Sequence, residues 1–275
     1  SISSVTGGRA KAGNYTLSGN TKSFTINKVA AGNPTLTAVT ATYDGKAHYV
    51  TVSGGYGGTI NYRTSTNNSS WGSWSTTKPS LTNAGVLYVQ AYVKGDGNHN
   101  DTSATETATI TINKATVTIP TSPVKQYTYN GKAQAHGYTL PTGTAIENNG
   151  TTPSAIDAGT YNIVLKLTST SNYQWSDGSV SNKTITWKIN PKSVAVTWGT
   201  TTTFTYNGQP QAPTVSATSG VTGETINVTR TTGTNAGSYT STASISSVTG
   251  GRARKENYTL TGTTKAFTIN KADAK

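Results

Sequence analysis

The sequence predicts an all-β protein made of tandem antiparallel β-sandwiches arranged head to tail as a rod. Three observations lead to this prediction: a long internal near-copy, short landmarks that recur along the chain, and runs in which apolar and polar residues alternate. Together they are typical of repeat proteins built from short strands.

The near-copy relates residues 1–28 to residues 244–271. The first segment reads SISSVTGGRAKAGNYTLSGNTKSFTINK, and the second reads SISSVTGGRARKENYTLTGTTKAFTINK. They match at 22 of 28 positions, at an offset of 243 residues. Similarity of this length indicates a window on a tandem array, which is more often a mechanical or adhesive object than a catalyst.

Recurring landmarks divide the offset into three modules, each with a Tyr-[Asp/Asn]-Gly step, an [Asn/Asp]-Ala-Gly step and a closing Ile-Asn-[Lys/Pro] step. The steps are Tyr43-Asp44-Gly45, Tyr129-Asn130-Gly131 and Tyr206-Asn207-Gly208, then Asn83-Ala84-Gly85, Asp157-Ala158-Gly159 and Asn235-Ala236-Gly237, then Ile26-Asn27-Lys28, Ile112-Asn113-Lys114, Ile189-Asn190-Pro191 and Ile269-Asn270-Lys271. We predict complete modules at 29–114 (module 1), 115–191 (module 2) and 192–271 (module 3). Residues 1–28 are expected to be the C-terminal part of a preceding module, and residues 272–275 the start of the next repeat.

Runs with a period of two predict the strands. Residues 22–26, 109–112 and 184–187 alternate polar and apolar side chains, which places one set on a core face. Residues 88–93 and 161–165 follow the Ala-Gly step and are predicted to be central strands. Asp-Gly and Asn-Gly steps suit hairpin turns, and no stretch keeps helical spacing for three turns. About seven short strands in each module predict a sandwich of immunoglobulin type.

Module 3 also resembles a known repeat family. It contains Tyr-Asn-Gly-Gln-Pro-Gln-Ala-Pro at 206–213, Asn-Ala-Gly-Ser-Tyr at 235–239, Asn-Tyr-Thr-Leu at 257–260 and Phe-Thr-Ile-Asn-Lys at 267–271. These motifs resemble the MBG/YDG-type immunoglobulin-like repeats of giant bacterial cell-surface, adhesin-like proteins. The resemblance implies a stalk or an adhesin and supplies no catalytic residues.

The other two modules share the resemblance less closely. In module 2, Asn-Tyr-Gln-Trp-Ser-Asp-Gly at 172–178 and Thr-Trp-Lys-Ile at 186–189 look like another form of the same superfamily. Module 1 departs most, because Trp71-Gly72-Ser73-Trp74 lies in its middle, although it keeps the Tyr-Asp-Gly and Asn-Ala-Gly steps. The resemblance therefore covers nearly the whole chain.

The amino-acid composition indicates how the chain is stabilised and which partners its charge would attract. Leu, Ile, Val and Phe supply 43 of 275 residues, a low share that raises the question of disorder, but 15 Tyr and five Trp add apolar surface. There is no Cys, so stability is expected from packing and sheet hydrogen bonds rather than disulfides. The net charge of +12 is spread along the chain and carries no nucleic-acid motif. It fits a self-repelling rod, or attraction to anionic wall polymers or mucin glycans.

The junctions between modules contain almost no linker. Residues 112–114 run directly into the alternating residues 115–119, and Pro191 separates module 2 from module 3. A Gly/Ser linker would bend freely, whereas these junctions are expected to be stiff, and proline restricts one of them further. Residues 1–28 lack the strands that they should pair with. We expect either the same continuous chain or a neighbouring chain to supply those strands.

Two stabilising sites are conceivable from the sequence. Asp96, Asn98, Asn100 and Asp101 form the best metal candidate, because their oxygen-bearing side chains resemble the start of a calcium loop. The Glu expected downstream is missing, and a polar hairpin tip is the simpler interpretation, so we assign no metal and no cofactor. An internal Lys–Asn isopeptide bond would need a neighbouring carboxylic acid. Few acids lie near predicted strands, and these few are Glu106 and Asp157.

Aromatic residues in module 1 offer one ligand-binding candidate. Trp71 and Trp74, with Tyr56 and Tyr62, could form a flat platform for sugars if their rings face solvent. The competing interpretation is that one or both Trp fill the sandwich core. We expect Trp175, Trp187 and Trp198 to pack in the core or at module ends.

The leading functional hypothesis is a structural stalk or filament segment of a very long, extracellular bacterial cell-surface protein. It would extend reach from the cell and support attachment, with adjacent repeats and possibly neighbouring chains as its partners. The alternatives are an adhesin that itself binds glycans or mucin, and a fibre subunit assembled by strand complementation between chains. We expect no enzyme, no nucleic-acid partner and no membrane contact, because the sequence has no nucleophile motif, no phosphate loop and no apolar span.

Overall fold

The computed structural model of the protein describes residues 2–9, 11–19 and 21–274. This part of the chain is all-β, and its only helical elements are single 3₁₀ turns at Ala12–Asn14 and Lys255–Asn257. It contains no helix long and apolar enough to cross a membrane. The chain separates into two compact units, Ser1–Lys114 and Ala115–Lys275. The division coincides with the predicted boundary between modules 1 and 2.

The first unit contains module 1, whose strands form one four-stranded sheet and two strand pairs. The strands are β1 Val29–Ala30, β2 Gly32–Thr37, β3 Val39–Thr42, β4 Thr51–Tyr56, β5 Gly58–Ser65, β6 Gly85–Gly95, β7 His99–Asn100 and β8 Ala108–Asn113. The large sheet has the order β3-β8-β6-β5, and the pairs are β2-β4 and β1-β7. Strands β6 and β8 confirm the strands predicted at 88–93 and 109–112.

Module 2 repeats this plan at the start of the second unit. Its strands are β9 Ala115–Val117, β10 Gln126–Thr128, β11 Gln134–Ala135, β12 Thr144–Glu147, β13 Ser154–Ala155, β14 Gly159–Leu167, β15 Tyr173–Trp175 and β16 Lys183–Asn190. The large sheet has the order β10-β16-β14-β12, with smaller pairs β15-β9 and β11-β13. Strands β14 and β16 confirm the predictions at 161–165 and 184–187.

Module 3 completes the second unit. Its strands are β17 Lys192–Trp198, β18 Thr203–Thr205, β19 Val215–Ala217, β20 Thr225–Arg230, β21 Gly237–Thr249, β22 Tyr258–Thr261 and β23 Thr264–Asn270. The two sheets have the orders β18-β23-β21-β20 and β19-β17-β22. In every module the last strand pairs in parallel with a short edge strand and antiparallel with its other neighbour. The all-β class is thus confirmed, whereas the immunoglobulin type, the head-to-tail arrangement and the rod shape stay predictions.

Alternation along the long strands builds the cores. Val89, Ala91 and Val93 on β6 are fully buried, and the residues between them face outward. On β16 the pattern is the same, with Ile185, Trp187 and Ile189 inside. A strict period of two gives each sheet one apolar face, which explains how a chain poor in aliphatic residues still forms a core.

One predicted strand is wrong. Residues 22–26 alternate as strictly as any other run, yet no strand forms there. The corresponding residues of the near-copy lie in β23, which pairs with β21 on one edge and with β18 on the other. A strand needs partners for its backbone groups, and residues 22–26 have no pairing strand among the described residues.

Candidate functional site

A network of polar side chains, most of them buried, connects module 2 to module 3 within the second unit, and we call it the joint. Module 2 contributes Tyr129 and Asp157, both of which belong to recurring landmarks of the sequence. The joint residues of module 3 are Glu224, Arg252, Arg254, Asn257 and Tyr258. The joint is the largest set of charged side chains that the described structure brings together, so it is the candidate functional site.

Glu224 is the first centre of the joint. Its carboxylate accepts a hydrogen bond from the Tyr129 hydroxyl at 2.5 Å and another from the Tyr258 hydroxyl at 2.6 Å. The backbone N–H of Arg252 donates a third at 3.0 Å. Glu224 is only 8% exposed, and a carboxylate at such a position is tolerated when its oxygens are satisfied.

Asp157 is the second centre, and the hydrogen-bond partners of its carboxylate all come from module 3. Arg252 donates to both carboxylate oxygens, from Nε at 3.1 Å and from Nη2 at 2.7 Å. Arg254 adds a contact from Nη1 at 3.2 Å. The Asp157 side chain is 12% exposed while both arginines are about half exposed, so solvent weakens the two ion pairs. The fork of Arg252 still fixes the orientation of one module against the other.

Asn257 connects the side chains of the joint to the backbone. It is fully buried, its Oδ1 accepts from the backbone N–H of Ala158 at 2.7 Å, and its Nδ2 donates to Asp157 at 3.1 Å. Asn257 therefore binds the Asp-Ala-Gly step of module 2 directly, through hydrogen bonds with Asp157 and Ala158. A side chain that satisfies both a backbone donor and a carboxylate tolerates little displacement.

Apolar packing surrounds these polar contacts. A single cluster of buried residues includes Tyr129 and Trp187 from module 2 together with Val248 and Tyr258 from module 3. The rings of Tyr129 and Tyr258 meet edge to face, with their centroids 5.5 Å apart. Edge-to-face geometry is a favourable arrangement of aromatic rings. The two modules thus share part of their hydrophobic core.

Two glycines permit close approaches at the joint, one between the modules and one within module 3. A Cβ on Gly131, which follows Tyr129 at φ +76°, would lie 2.6 Å from Cγ1 of Val221 in module 3. A Cβ on Gly251, at φ +48°, would lie 2.5 Å from Cγ of Glu224. Both positions combine a left-handed backbone with too little space, so glycine is required at each.

The joint shifts the pKa values of its members. The Arg252 side chain is the main cause that lowers the pKa of Asp157, and it outweighs the opposing effect of burial. Burial raises the pKa of Glu224, but hydrogen bonds from Tyr129 and Tyr258 outweigh it and the net pKa is lowered. Burial, followed by the hydrogen bond to Glu224, raises the pKa of both Tyr129 and Tyr258. Both carboxylates are therefore charged at neutral pH.

The chain passes between the two modules at a single residue. β16 ends at Asn190 and β17 begins at Lys192, with Pro191 between them. The covalent link, the shared hydrophobic core and the joint thus all connect the two modules at the same boundary. A link of one residue leaves little freedom for the modules to separate while the network is intact.

The predicted metal candidate is a hydrogen-bonded turn. Oδ1 of Asp96 accepts from the backbone N–H of Asn98 at 2.8 Å and contacts Nδ1 of His99 at 2.7 Å. Asp101 accepts from the backbone N–H of Gly95 at 2.8 Å, and Asn100 reaches the carbonyl of Lys28 at 3.4 Å. Both Asp carboxylates therefore hold their own turn together. In the described ranges, no three His, Asp or Glu side chains form a group that could hold a metal ion.

The four aromatic residues of the predicted sugar platform do not come together. Tyr62 is buried in the core of module 1, while Tyr56 is exposed on β4. Trp71 and Trp74 lie outside the buried core and stack on Arg63, whose Cζ is 5.2 Å and 4.6 Å from their ring centroids. This cation–π arrangement places the Arg63 guanidinium over each indole ring. Of the other tryptophans, Trp175 and Trp187 are fully buried in module 2 and Trp198 is half-buried.

Sequence reasoning missed Glu224 and Arg252 and gave Asp157 a different role. A signal was present: Asp157 replaces the Asn that occupies the same landmark in modules 1 and 3, and acids are few in this chain. A second signal is that Arg9 and Arg252 occupy equivalent positions in the near-copy. No sequence rule, however, links residues that are 95 positions apart, as Tyr129 and Glu224 are.

Comparison with known proteins adds little. No protein-family model matches the chain, and no curated protein is similar to it. Among solved structures, Drosophila N-cadherin EC1-4 matches at 10% identity and a TM-score of 0.20, over 89% of this chain and 76% of that one. The four N-terminal immunoglobulin domains of a Dscam1 isoform match at 9% identity and a TM-score of 0.22, over 90% and 74%.

Proposed function

We propose that the chain is a structural segment, part of a stalk or filament, of a very long bacterial cell-surface protein. In that role it extends reach from the cell and supports attachment, outside the cell and without chemistry of its own. The tandem repeat and the resemblance to MBG/YDG-type repeats support this proposal. The observation that carries it is the joint, because its buried side chains are used to connect one module to the next.

The contacts of the joint suit a load-bearing role. Separating module 2 from module 3 would leave Glu224 without the Tyr129 hydroxyl and would expose part of a shared core. It would also break the Asp157–Arg252 pair and the Asn257–Ala158 hydrogen bond. A buried group that loses its partner costs about 1–3 kcal/mol. Several such losses at once would make the two modules resist extension as one body.

Single-molecule stretching of the chain tests this role. If the joint couples the modules, module 2 and module 3 rupture in one event that releases about 55 nm, at ~3.6 Å per residue. Glu224→Ala removes the first centre of the joint, and the single event should then divide into two of about half that length each. Glu256→Ala, an exposed acid in the same segment, is the matched control and should keep the single event.

Two results would contradict the proposal. Separate ruptures of the modules in the unmodified chain would show that the joint carries no load. Electron microscopy of the native assembly addresses the biological setting: the proposal expects a thin fibre, one module wide, that repeats every three modules. A wider fibre with several chains in cross-section would replace the stalk with lateral assembly.

A further inference from the structure

The guanidinium of Arg63, in module 1, has one edge that stays open to solvent. Arg63 lies directly opposite Gln90 across strands β5 and β6, and its Nε and Nη2 both donate to Oε1 of Gln90, at 2.9 Å and 2.6 Å. Nη1 donates to no atom of the described residues, and it is not sealed inside the protein. One N–H of Nη1 and one of Nη2 therefore remain side by side as a fork, the geometry that pairs with the two oxygens of a carboxylate.

Neighbouring side chains hold this fork in a fixed place. Gln90, its acceptor, is itself oriented by a hydrogen bond from Nε2 to Oγ1 of Thr107 at 3.0 Å. The Cζ atom of Arg63 also lies over the rings of Trp71 and Trp74, at 5.2 Å and 4.6 Å from their centroids. An arginine that is fixed along one edge and over its face has little rotational freedom left to lose when it binds an anion.

The loop that carries both tryptophans, residues 66–75, is tied down at its two ends. Oδ1 of Asn67 accepts from two backbone N–H groups of its own turn, at 3.0 Å and 2.9 Å. At the other end Ser75 exchanges two backbone hydrogen bonds with Tyr62 on β5, at 2.7 Å and 2.9 Å. Both tryptophans are half-buried, so part of each indole ring stays at the surface beside the fork.

The positive charge of Arg63 has no counter-ion in the described part of the chain. In module 2 the strands β12 and β14 occupy the places that β5 and β6 occupy in module 1, and there Lys166 pairs with Glu147 at 3.0 Å. Arg63 forms no ion pair with any carboxylate of the described residues. A fixed, charged fork without an internal partner is complementary to an anion from outside the chain.

We propose that Arg63 binds the carboxylate of an acidic polysaccharide, a chain of uronic acids. The open fork takes the two carboxylate oxygens, and the exposed parts of Trp71 and Trp74 border the sugar ring. The arginine, not a flat stack of rings, is the anchor. A sugar fits better than an acidic peptide, because residues 66–70 add five exposed hydroxyl and amide side chains that can hydrogen-bond to sugar hydroxyls. The site gives module 1 a ligand of its own, which the load-bearing role does not require.

The tryptophans allow this binding to be measured one residue at a time. Each indole N–H gives one signal in a nitrogen–proton NMR spectrum, and the chain has five: Trp71 and Trp74 in module 1, and Trp175, Trp187 and Trp198 in modules 2 and 3. The probe is a galacturonic acid oligosaccharide, titrated into the full-length chain. We expect a saturable shift of the two module 1 signals, while the other three stay in place as internal controls.

Two further probes separate the carboxylate from the sugar. The methyl-esterified oligosaccharide keeps the sugar rings and loses the charge, so we expect it to bind about tenfold more weakly. Polyglutamate supplies carboxylates without sugar rings and should also bind about tenfold more weakly. Equal binding of the methyl ester would overturn the role of the fork. Equal binding of polyglutamate would overturn the sugar and assign the site to an acidic peptide.

A pair of variants tests the arginine itself. Arg63→Lys keeps the charge and loses the fork, so the acidic oligosaccharide should bind about tenfold more weakly. Lys78→Gln is the matched control, because Lys78 also lies over an aromatic ring, Tyr49 at 5.7 Å, and its loss should leave binding unchanged.

If Arg63→Lys disturbs the loop, the signals of Trp71 and Trp74 move before any ligand is added, and the three probes on the unmodified chain then decide. The absence of a shift at Trp71 and Trp74 in the unmodified chain overturns the proposal. The stretching experiment measures contacts between modules 2 and 3, so failure of this site leaves the load-bearing proposal standing.

Discussion

Residues 244–271 and residues 2–28 are nearly the same sequence in two different surroundings. In module 3 the segment forms the end of β21, a 3₁₀ turn, β22 and β23. In the first unit, the described residues 2–9, 11–19 and 21–28 form the 3₁₀ turn and no strand. The comparison separates what the segment determines by itself from what its neighbours impose on it.

The local features are the same in both copies. Lys255–Asn257 and Ala12–Asn14 are equivalent 3₁₀ turns, each closed by the N–H of the following Tyr. Gly251 and Gly8 adopt φ values of +48° and +47°. Turns use hydrogen bonds between residues a few positions apart, so they form without a partner.

The strands differ because their partners are distant in sequence. β23 pairs with Gly237–Thr242 and with Thr203–Thr205, all in the residues that precede the repeated segment. Strand structure is thus a property of the completed module rather than of the alternating pattern. Alternation decides which side chains face the core, and only an edge with free backbone groups decides whether a strand forms.

The largest expected effect comes from the same aromatic residue in both copies. Phe267→Ala should lower the free energy of unfolding of module 3 by about 3–5 kcal/mol, because it empties a buried ring site. Phe24→Ala should change stability by less than about 0.5 kcal/mol, since the ring is exposed. Hydrogen exchange read by mass spectrometry measures both, on the β21 amides for Phe267→Ala and on the amides of residues 21–28 and β6 for Phe24→Ala. Equal effects would mean that Phe24 is also packed in solution.

The first centre of the joint should have the next largest effect. Glu224→Ala leaves two tyrosine hydroxyls without their acceptor, which we expect to destabilise the second unit by about 3 kcal/mol. Chemical denaturation followed by Trp187, fully buried in module 2, reports whether module 2 is affected by a change in module 3. Glu256→Ala should leave the transition in place. An unchanged denaturation midpoint in Glu224→Ala would show that the joint does not contribute to the stability of the second unit.

Acid should weaken the joint because both of its carboxylates have lowered pKa values. Their contribution is complete above the ordinary values, 3.8 for Asp157 and 4.5 for Glu224, and is lost as the pH falls through the lower folded-state values. If the denaturation midpoint is measured at a series of pH values from 7 to 2, the midpoint should decrease once the pH is below about 4. Asp157→Asn should reduce stability at pH 7 by about 1–2 kcal/mol and flatten this dependence. A profile identical to that of the unmodified chain would exclude Asp157 as its source.

The smallest effect should come from making the C-terminal copy resemble the N-terminal one. Arg254→Lys installs the residue found at position 11, and Arg254 is an exposed side chain with one long contact to Asp157. We expect a loss below about 0.5 kcal/mol, measured by the same denaturation. A larger loss would mean that the Arg254–Asp157 contact contributes more to the joint than an exposed ion pair does.

The sequence predicted the parts of the fold that depend on local pattern. Alternation located β6, β8, β14 and β16. The landmark that closes module 1 coincides with the division between the two units, and the finer division into modules stays a prediction. The same rule placed a strand at residues 22–26, where it was wrong because the pattern holds no information about pairing. Side-chain periodicity predicts a face, and a face needs an opposing surface.

The candidate site was harder to predict. Tyr129 stands in a landmark whose Asn-Gly step predicts only a hairpin turn, although its hydroxyl reaches Glu224 in the next module. Trp71 and Trp74 were expected either in the core or on a sugar platform, and they stack on Arg63 instead. In each case the partner lies on another strand or in another module, and single-sequence reasoning has no means of pairing them.

Because the hydroxyls of Tyr129 and Tyr258 both donate to buried Glu224, the ionisation of these two tyrosines can be followed by ultraviolet absorbance. Tyrosine absorbs near 295 nm when its hydroxyl ionises, and of the 15 tyrosines, Tyr129 and Tyr258 are the pair whose hydroxyls are tied to a buried carboxylate. While the modules stay together, both should remain protonated in an alkaline titration after exposed tyrosines have ionised. When the modules part, both should ionise with the rest, so absorbance alone would count how many pairs of modules have come apart, without a dye or a label.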